Sequence, residues 1–440
     1  MARLIIHNFG PIRFCEIEEK HFTVLTGAQA SGKSTVAKVL FFFRTMGDDV
    51  IEQILEESHE DIYHTSLEND LKKSLRSKFL SMFGSSWPMR RDMKLIYEYA
   101  QGTTIEVFLE ADRSNHHLNF VNFRFGKDIQ DFIFKYRDYE SVERDEVFSS
   151  VLEQDVNRLF FDGYETVYIP AGRSMVTLLT DHLFKLFSGR DNRKFDFCTA
   201  SYVRTIFPIR AQIGSGLTNL LRDVLHTSQI KIDRKALEYI ELLMKEVLRG
   251  YYAYVGGEER IVFSPKSYVK INFSSSGQQE AVWIFNLMYF YILQNKKVFL
   301  IMEEPEAHLY PDAQKHIAEA LGVFAGVGNP VLVTTHSPYI LGQFNNMLYA
   351  GDLRERVNSV MKEKLYGILN PLVYLHPSTT CASFLSGGKL NDAMEDGLVC
   401  NELIDGASVD INEEMDNLLA LEWDLNCMEE EDARKIRKPV

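Results

Sequence analysis

The chain has 440 residues, 45% hydrophobic and 25% charged, a balance that fits a globular protein large enough to bury a sizeable core. Its formal net charge of −14 argues against a wholly basic nucleic-acid-binding surface, although a local basic patch stays open. Five scattered cysteines fit neither a zinc site nor a disulfide framework. Because the N-terminus lacks the shape of a signal peptide and the longest apolar run is too short to span a bilayer, we expect a cytoplasmic protein without membrane contact.

Three predicted strands open the chain. Residues 3–6 and 14–17 form two short strands around the turn at 8–11, and residues 22–25 form a buried strand that leads into a glycine-rich loop. The segment 33–44 that follows has the apolar side of a helix. Strand, glycine-rich loop and helix in this order are the context that a phosphate-binding loop requires.

The glycine-rich loop has the complete phosphate-binding pattern. Gly27 and Gly32 allow backbone amides to approach phosphate oxygens closely, Lys33 would neutralise the β- and γ-phosphates, and Ser34 would ligate Mg²⁺. The alternative is a glycine-rich turn before an ordinary helix. We therefore expect ATP and Mg²⁺ as cofactors, and the predicted binding residues are Gly27, Ala30, Ser31, Gly32, Lys33, Ser34 and Thr35.

Alternating strands and helices return near the C-terminal side, after a stretch of charged helices and antiparallel strands without internal repeats. Residues 298–302 and 331–334 are predicted buried strands with a helix between them, which indicates a parallel sheet covered on both faces. Glu303 and Glu304 follow the first of these strands. Glu303 would hold Mg²⁺, and Glu304 would position and deprotonate the water that attacks the γ-phosphate. An exposed acidic pair that caps a strand is the alternative.

Two further segments carry candidate phosphate contacts. His336 ends the next buried strand and would contact the γ-phosphate, the alternative being a histidine in an ordinary turn. Ser274-Ser275-Ser276-Gly277-Gln278 precedes an apolar helix, and free amides at a helix N-terminus suit a phosphate, although a plain serine cap would look the same. For His308 a structural role is at least as well supported as a catalytic one.

The order and spacing of these motifs resemble the ABC-type ATPase head of SMC-like and OLD-like (overcoming lysogenisation defect) proteins. The resemblance covers about 1–46 and 260–350, with 27–35 matching the Walker A loop, 298–304 Walker B and His336 the switch histidine. Glu303 stands where aspartate is commoner, and Ser276 stands where glycine is usual. The signature loop would consist of Ser275, Ser276, Gly277 and Gln278.

This resemblance implies an α/β fold, an ABC-type P-loop ATPase head with a mixed sheet, interrupted by an α+β insertion and followed by a small C-terminal helical region. The implied units are 1–46, 47–270, 271–350 and 351–440, the last a partner-contact region with an acidic tail. It also implies a slow ATPase that forms a head-to-tail homo-oligomer, in which the signature loop of one copy closes over ATP on the other. Arg173 lies in a Pro-Ala-Gly-Arg-Ser pattern that recurs in compact bacterial relatives, and it would reach the nucleotide or the dimer seam unless it is a solvated surface arginine.

The resemblance leaves the purpose of the ATPase open between several classes. OLD nucleases carry a Toprim domain, which needs an Asp-x-Asp pair that is missing after His336. The chain therefore resembles the ATPase subunits of phage-defence systems such as PARIS or Septu, in which a separately encoded nuclease is the effector and a phage protein would be the trigger. The alternatives are an SMC/RecF-like DNA-binding repair ATPase and a non-hydrolysing scaffold. The candidate DNA patch, for which an ordinary solvated face is the alternative, comprises Lys72, Lys73, Arg76, Lys78, Arg90, Arg91 and Lys94.

Overall fold

A computed structural model gives the fold of the chain. It describes residues 2–56, 66–86, 88–111, 119–137, 146–160, 163–178, 196–213, 216–227, 232–400 and 412–421. The charged tail at 429–440 lies outside the described residues. Among the described residues, no helix combines the length and the apolar character that crossing a membrane requires.

The N-terminal part begins with a β-hairpin, the strand before the glycine-rich loop and three helices. These elements are β1 (Arg3–Phe9), β2 (Ile12–Glu18), β3 (Phe22–Gly27), α1 (Lys33–Arg44), α2 (Met46–Glu56) and α3 (Leu67–Phe83). An antiparallel set of strands and further helices follow. They are β4 (Lys94–Ala100), β5 (Thr103–Ala111), β6 (Asn119–Phe125), α4 (Lys127–Arg137), α5 (Glu146–Leu159), β7 (Glu165–Ile169), α6 (Ser174–Leu178), α7 (Phe197–Ile213), α8 (Leu217–Thr227) and α9 (Arg234–Leu248).

A small three-stranded sheet leads into the remaining helices and strands. These elements are β8 (Tyr251–Val255), β9 (Glu258–Ser264), β10 (Ser267–Lys270), α10 (Ser276–Leu293), β11 (Val298–Glu303), α11 (Pro311–Gly326), β12 (Val331–Thr334), α12 (Pro338–Arg356) and α13 (Ser359–Ile368). Short 3₁₀ turns at Ile271–Phe273, Pro371–Val373 and Pro377–Thr379 connect some of them. The last strands are β13 (Thr380–Ser386), β14 (Lys389–Asp392), β15 (Met394–Glu395) and β16 (Leu398–Val399), and residues 412–421 form an exposed helix, α14.

One mixed sheet organises the protein. Its 11 strands lie in the order β6-β5-β4-β1-β2-β14-β13-β3-β12-β11-β7. The strands β13, β3, β12, β11 and β7 run parallel to one another, whereas β1, β2, β4, β5 and β6 are paired antiparallel to one another. Strand β14 joins the two parts, antiparallel to β13 and parallel to β2. The predicted α/β class with a mixed sheet is therefore confirmed.

The parallel strands are buried on both faces. Alternate residues of β11 face two different hydrophobic clusters, Leu300 and Met302 on one side and Phe299 and Ile301 on the other. The first cluster contains α10, whose residues from Gln279 to Leu293 are all buried, and the second contains the apolar side of α1. This explains why these strands have continuous apolar runs and not an alternating pattern.

The C-terminal region differs from the helical region that we expected. Helices α12 and α13 are present, but β13 lies beside β3 in the middle of the sheet, with Leu385 paired to Gly27. A tight turn at Gly387 and Gly388, with φ values of 56° and 77°, joins β13 to β14. A Cβ atom on Gly388 would lie 2.8 Å from the carbonyl oxygen of Pro11. Two adjacent glycines are a typical signal of a tight hairpin turn, and only glycine allows this turn to approach the β1–β2 connection so closely.

Segments of the predicted insertion also belong to the main sheet. Strands β4 to β6 extend the edge formed by β1, and β7 forms the opposite edge beside β11. The helices α2 and α3 pack in the same hydrophobic cluster as α1. The domain division at 47–270 stays a prediction, but the strands in that range continue the sheet that carries the glycine-rich loop.

Candidate nucleotide site

Three parallel strands bring the predicted motifs to one edge of the sheet. Strand β12 lies between β3 and β11, with Thr334 paired to Leu25 on one side and to Glu303 on the other. The glycine-rich loop, the acidic pair and the histidine segment follow the carboxyl ends of these strands. Ligands of open α/β sheets bind at such an edge, so the shared strand direction explains why motifs far apart in the chain meet here.

The glycine-rich loop has the backbone conformation that its glycines permit. Gly27 and Gly32 have φ values of 142° and 111°, and Ala30 adopts the left-handed region at φ 60°. A Cβ atom on Gly27 would lie 2.5 Å from the carbonyl oxygen of Leu385, and one on Gly32 would lie 2.4 Å from Cδ1 of Ile12. Gly27 therefore requires glycine for space as well as for its dihedral angle, and Gly32 requires it for its dihedral angle.

Lys33 begins α1 and turns back over the loop. Its ammonium donates to the carbonyl oxygens of Gly27 at 2.8 Å and Ala28 at 3.0 Å. Burial lowers the pKa of Lys33 from its ordinary value, and the nearby carboxylates of Glu304 and Glu306 counteract that shift. Lys33 thus lies within electrostatic reach of the acidic segment that follows β11, on the face where a phosphate would displace its carbonyl partners.

The residues assigned to Mg²⁺ fit an ion that keeps part of its water shell. Glu303 ends β11 and is 4% exposed. Burial, together with the nearby Glu303 carboxylate that accepts a hydrogen bond from the Tyr168 hydroxyl, raises the pKa of Tyr168. Oε2 of Glu303 accepts a hydrogen bond from the amide of Ala171 at 3.4 Å. Ser34 is exposed at the same edge. Mg²⁺ is commonly bound by one or two protein oxygens together with waters and substrate phosphates.

Glu304 has a strained backbone that directs its side chain out of the strand. Its φ is 41°, in the left-handed region that is uncommon for residues other than glycine. The amide of Glu304 donates to the carbonyl oxygen of Thr334 at 2.9 Å. Its Oε1 lies 3.8 Å from Nδ1 of His336, whose side chain is 54% exposed. The predicted base and the predicted switch histidine therefore lie side by side.

Glu306 is a site residue that the sequence analysis missed. It is buried, and its Oε1 accepts hydrogen bonds from the hydroxyl of Thr335 at 2.8 Å and from the amide of His336 at 2.9 Å. Its Oε2 has no hydrogen-bond partner among the described residues. Glu306 therefore fixes the backbone of the histidine segment. A third carboxylate within Glu303-Glu304-Pro305-Glu306 was the signal that could have identified it.

The signature-like segment forms the N-terminus of α10. Ser275 is the N-cap and accepts from the amide of Gln278 at 3.3 Å, while the amide of Ser275 donates to the Gln278 side chain at 3.1 Å, which completes a capping box. Ser275 and Ser276 are exposed. A Cβ atom on Gly277 would lie 2.8 Å from the carbonyl oxygen of His308. The segment therefore presents an open helix end, and glycine is required where the loop after β11 crosses it.

Arg173 differs from both expectations for it. It follows β7, is fully buried and forms an ion pair with Glu280, whose Oε2 lies 3.1 Å from its Nε. Its guanidinium also donates to main-chain carbonyls of Pro170, Glu280, Glu303, Glu304 and Pro305. All three guanidinium nitrogens thus bind the protein itself, so the residue is neither a solvated arginine nor free to contact a nucleotide.

The basic stretch proposed as a DNA-binding patch is largely engaged within the protein. Lys78 is buried and binds Thr45 and Asp49, which removes it from any surface patch. Lys72 and Lys94 pair with the carboxylates of Glu68 at 2.7 Å and Glu106 at 2.9 Å. Arg76 donates to the carbonyl oxygen of Val121 and Arg90 pairs with Asp92. These contacts weaken the case for a duplex-binding stripe.

Comparison with known proteins identifies one family. A protein-family model described as AAA ATPase domain matches residues 1–341. No curated protein matches the chain.

The solved structures that match include three SMC head domains. An SmcHead bound to the C-winged helix domain of ScpA is 13% identical, with a TM-score of 0.38, and the match covers 78% of this chain and 91% of that one. An Smc head domain with an extended coiled coil, bound to the C-terminal domain of ScpA derived from Pyrococcus furiosus, is 11% identical, with a TM-score of 0.38 and coverage of 94% and 100%. The SMC head domain from Thermotoga maritima is 13% identical, with a TM-score of 0.31 and coverage of 78% and 90%.

Proposed function

The chain belongs to the family of AAA ATPase domains, and from this premise we propose that it binds ATP with Mg²⁺ and hydrolyses it slowly at the carboxyl edge of β3, β12 and β11. The observation that carries the proposal is the convergence of Lys33, Glu304 and His336 at that edge. Burial lowers the pKa of Lys33, and the nearby carboxylate of Glu304 counteracts that shift. Oε1 of Glu304 lies 3.8 Å from Nδ1 of His336. A cation, a carboxylate and an imidazole in this arrangement suit phosphoryl transfer to water.

Each residue has a distinct role in the proposed reaction. The amides of the glycine-rich loop would bind the phosphates, and Lys33 would exchange the carbonyl oxygens of Gly27 and Ala28 for the β- and γ-phosphates. Ser34 and Glu303 would hold Mg²⁺, which neutralises charge on the phosphates. Glu304 would orient the attacking water and accept its proton, and His336 would contact the γ-phosphate.

The site of one copy is proposed to be completed by the signature-like segment of a second copy. Support comes from the exposed N-terminus of α10 at Ser275, where helix amides and the positive end of the helix dipole face outward. Two large aromatic residues flank this helix end, and Phe273 and Tyr310 are each 79% exposed. Exposed aromatic side chains beside an open anion-binding helix end suit a self-association surface that closes on bound nucleotide.

Subunit complementation tests the composite site. Lys33→Ala and Ser275→Arg should each abolish turnover alone, because each spoils both sites of a homodimer. When the two variants are mixed, half of the dimers are mixed and each has one intact site, so activity should recover to about a quarter of wild type. If the mixture stays as inactive as its components, the composite site is wrong.

A second mixture of two variants controls for recovery of ATPase activity that does not depend on a composite site. Lys33→Ala mixed with Glu304→Gln should stay inactive, since both residues act on the ATP of their own copy and no intact site can form. Recovery in this mixture would contradict the assignment of Lys33 and Glu304 to the same site. The two mixtures together separate a trans-acting residue from a cis-acting one.

We extend the proposal to the control of a separately encoded effector, a nuclease, in anti-phage defence with a phage protein as trigger. The support for this extension is the resemblance of the motifs to those of the ATPase subunits of phage-defence systems. The test is to express the chain with its neighbouring genes and to measure the mass of the complex with and without ATP. Stimulation of turnover by duplex DNA with a steep salt dependence would favour the repair-type alternative instead.

A further inference from the structure

We propose that the buried ion pair of Arg173 and Glu280 is a positioning element that fixes the backbone of Glu304 for hydrolysis. This inference rests on the proposed function, since it concerns the residue assigned there as the base. The Arg173 side chain has no exposure and contacts Glu303 and Glu304 only at their main-chain carbonyl groups. It is a positioning residue that acts through the main chain of the segment after β11.

Arg173 binds the main-chain carbonyl groups of the segment that follows β11. Nη1 donates to the carbonyl oxygen of Glu303 at 3.0 Å, and Nη2 donates to those of Glu304 at 3.1 Å and Pro305 at 3.4 Å. Three consecutive carbonyl groups therefore converge on one guanidinium. The planar, five-donor geometry of arginine suits such a cluster, and lysine cannot reproduce it.

The contact with Arg173 stabilises an unfavourable backbone conformation at Glu304. The φ of 41° at Glu304 is unfavourable for a residue with a side chain and persists only where the surroundings determine it. Its amide is held by the carbonyl oxygen of Thr334 at 2.9 Å, and its carbonyl group is held by Arg173. With both ends of the residue fixed, the carboxylate is directed away from the strand and towards His336.

Arg173 is itself held in place by the carboxylate of Glu280. Glu280 lies in the second turn of α10, its side chain has no exposure, and its Oε1 accepts a hydrogen bond from the amide of Ser174 at 3.1 Å. The pair thus joins the segment after β7, the start of α10 and the end of β11. Displacement of the α10 N-terminus by a second copy would be transmitted through this pair to Glu304.

The experiment compares Arg173→Lys with Arg44→Lys. Both variants keep the positive charge at a buried ion pair and lose the planar guanidinium. Arg44, which pairs with Glu19 at 2.7 Å, lies at the opposite end of α1 from the glycine-rich loop. For each variant the melting temperature, the affinity for ADP, kcat for ATP and amide hydrogen exchange over 303–309 are measured. ADP affinity reports on the glycine-rich loop alone. A variant that keeps its ADP affinity but has a lower kcat has therefore lost the position of Glu304 and not the fold as a whole.

Arg173→Lys should lower kcat by on the order of tenfold to a hundredfold, because a misplacement of about 1 Å can cost that much, while ADP affinity stays within about twofold. Exchange over 303–309 should rise in this variant only. Arg44→Lys should keep kcat within about twofold at a comparable loss of melting temperature. A kcat of Arg173→Lys close to wild type would overturn the proposal.

Two further outcomes are also decisive. If Arg173→Lys does not fold, Glu280→Gln takes its place, because it removes the charge partner of Arg173 and keeps the carbonyl contacts. In Glu280→Gln, ADP affinity should be kept and kcat should fall, by less than in Arg173→Lys. An unchanged kcat in that variant would overturn the proposal. If the wild type does not hydrolyse ATP, the proposed function fails, and the exchange of 303–309 alone decides whether Arg173 positions the segment.

Discussion

The two edges of the parallel part of the sheet use charged residues in opposite ways. At the amino edge, Arg44 pairs with Glu19 at 2.7 Å and Glu19 also accepts from the hydroxyl of Tyr97, beside a cleft of about 810 Å³. At the carboxyl edge, the ammonium of Lys33 donates to main-chain carbonyl groups instead, and Oε2 of the buried Glu306 has no hydrogen-bond partner among the described residues. The volume of the amino-edge cleft therefore does not mark the proposed site.

Backbone conformation differs less sharply between the edges. The carboxyl edge has positive φ at Ala30 and Glu304, which carry side chains, and such conformations cost free energy and require support from neighbouring groups. The turn that enters β11 at the amino edge has positive φ at Asn295, a residue type that tolerates this region. In the proposed function, the amino edge stabilises the sheet, whereas the carboxyl edge binds a cation and phosphates. Four substitutions test this difference, beginning with the largest expected effect.

Lys33→Ala should remove the only lysine that bonds to the glycine-rich loop in the described residues. Loss of one partner from a desolvated charge contact costs about 2–5 kcal/mol, so ATP affinity should fall by a factor between about thirty and several thousand. Titration with a fluorescent ATP analogue measures the change. Lys20→Ala, at the amino edge, is the control and should bind ATP normally. Tight binding by Lys33→Ala would contradict the site assignment.

Glu304→Gln should keep ATP affinity and lose turnover by a factor on the order of 10²–10⁴, the usual contribution of a general base. The bound ATP should persist, and a species of higher mass should accumulate with it. Phosphate release and light scattering provide the two measurements. Turnover at the wild-type rate would exclude Glu304 as the base.

Ser275→Arg should block turnover without changing the ATP affinity of the isolated copy, because the residue is exposed and lies at the start of a different helix from Lys33. Ser275→Ala is the matched control. It loses the same N-cap, at a cost of about 1 kcal/mol, without adding bulk. The alanine variant should therefore retain most of its turnover, and equal activity of both variants would argue against closure by a second copy.

Arg44→Met should have the smallest effect on function and a large effect on stability. The Arg44 and Glu19 side chains are only 6% and 11% exposed, and breaking such a pair leaves an unpaired buried carboxylate at a cost of about 3 kcal/mol. Chemical denaturation measures the loss, and ATP affinity should stay within about twofold. A marked loss of ATP affinity would show that the two edges are coupled, which would break the comparison.

The sequence predicted the elements of the site better than their surroundings. The strand before Gly27, the helix after it and the buried strand before Glu303 follow from local apolar patterns and glycine spacing, and the structure contains them. The roles assigned to Ser34, Glu304, His336 and the signature-like segment stay predictions for the experiments above. Glu306 escaped detection because its function depends on hydrogen bonds to residues about thirty positions later.

The amino-acid pattern was sufficient to predict a strand, a glycine-rich loop and a helix in succession, an acidic pair after a buried strand and an α/β class. Short-range periodicity and glycine placement encode these features, because they involve neighbours along the chain. The tertiary structure decided that β13 lies beside β3, that Arg173 is buried under Glu304 and that Lys78 is removed from the surface. Strand order and buried ion pairs join residues that are far apart in the chain, so their pairing is a property of packing and leaves no periodic signal in the sequence.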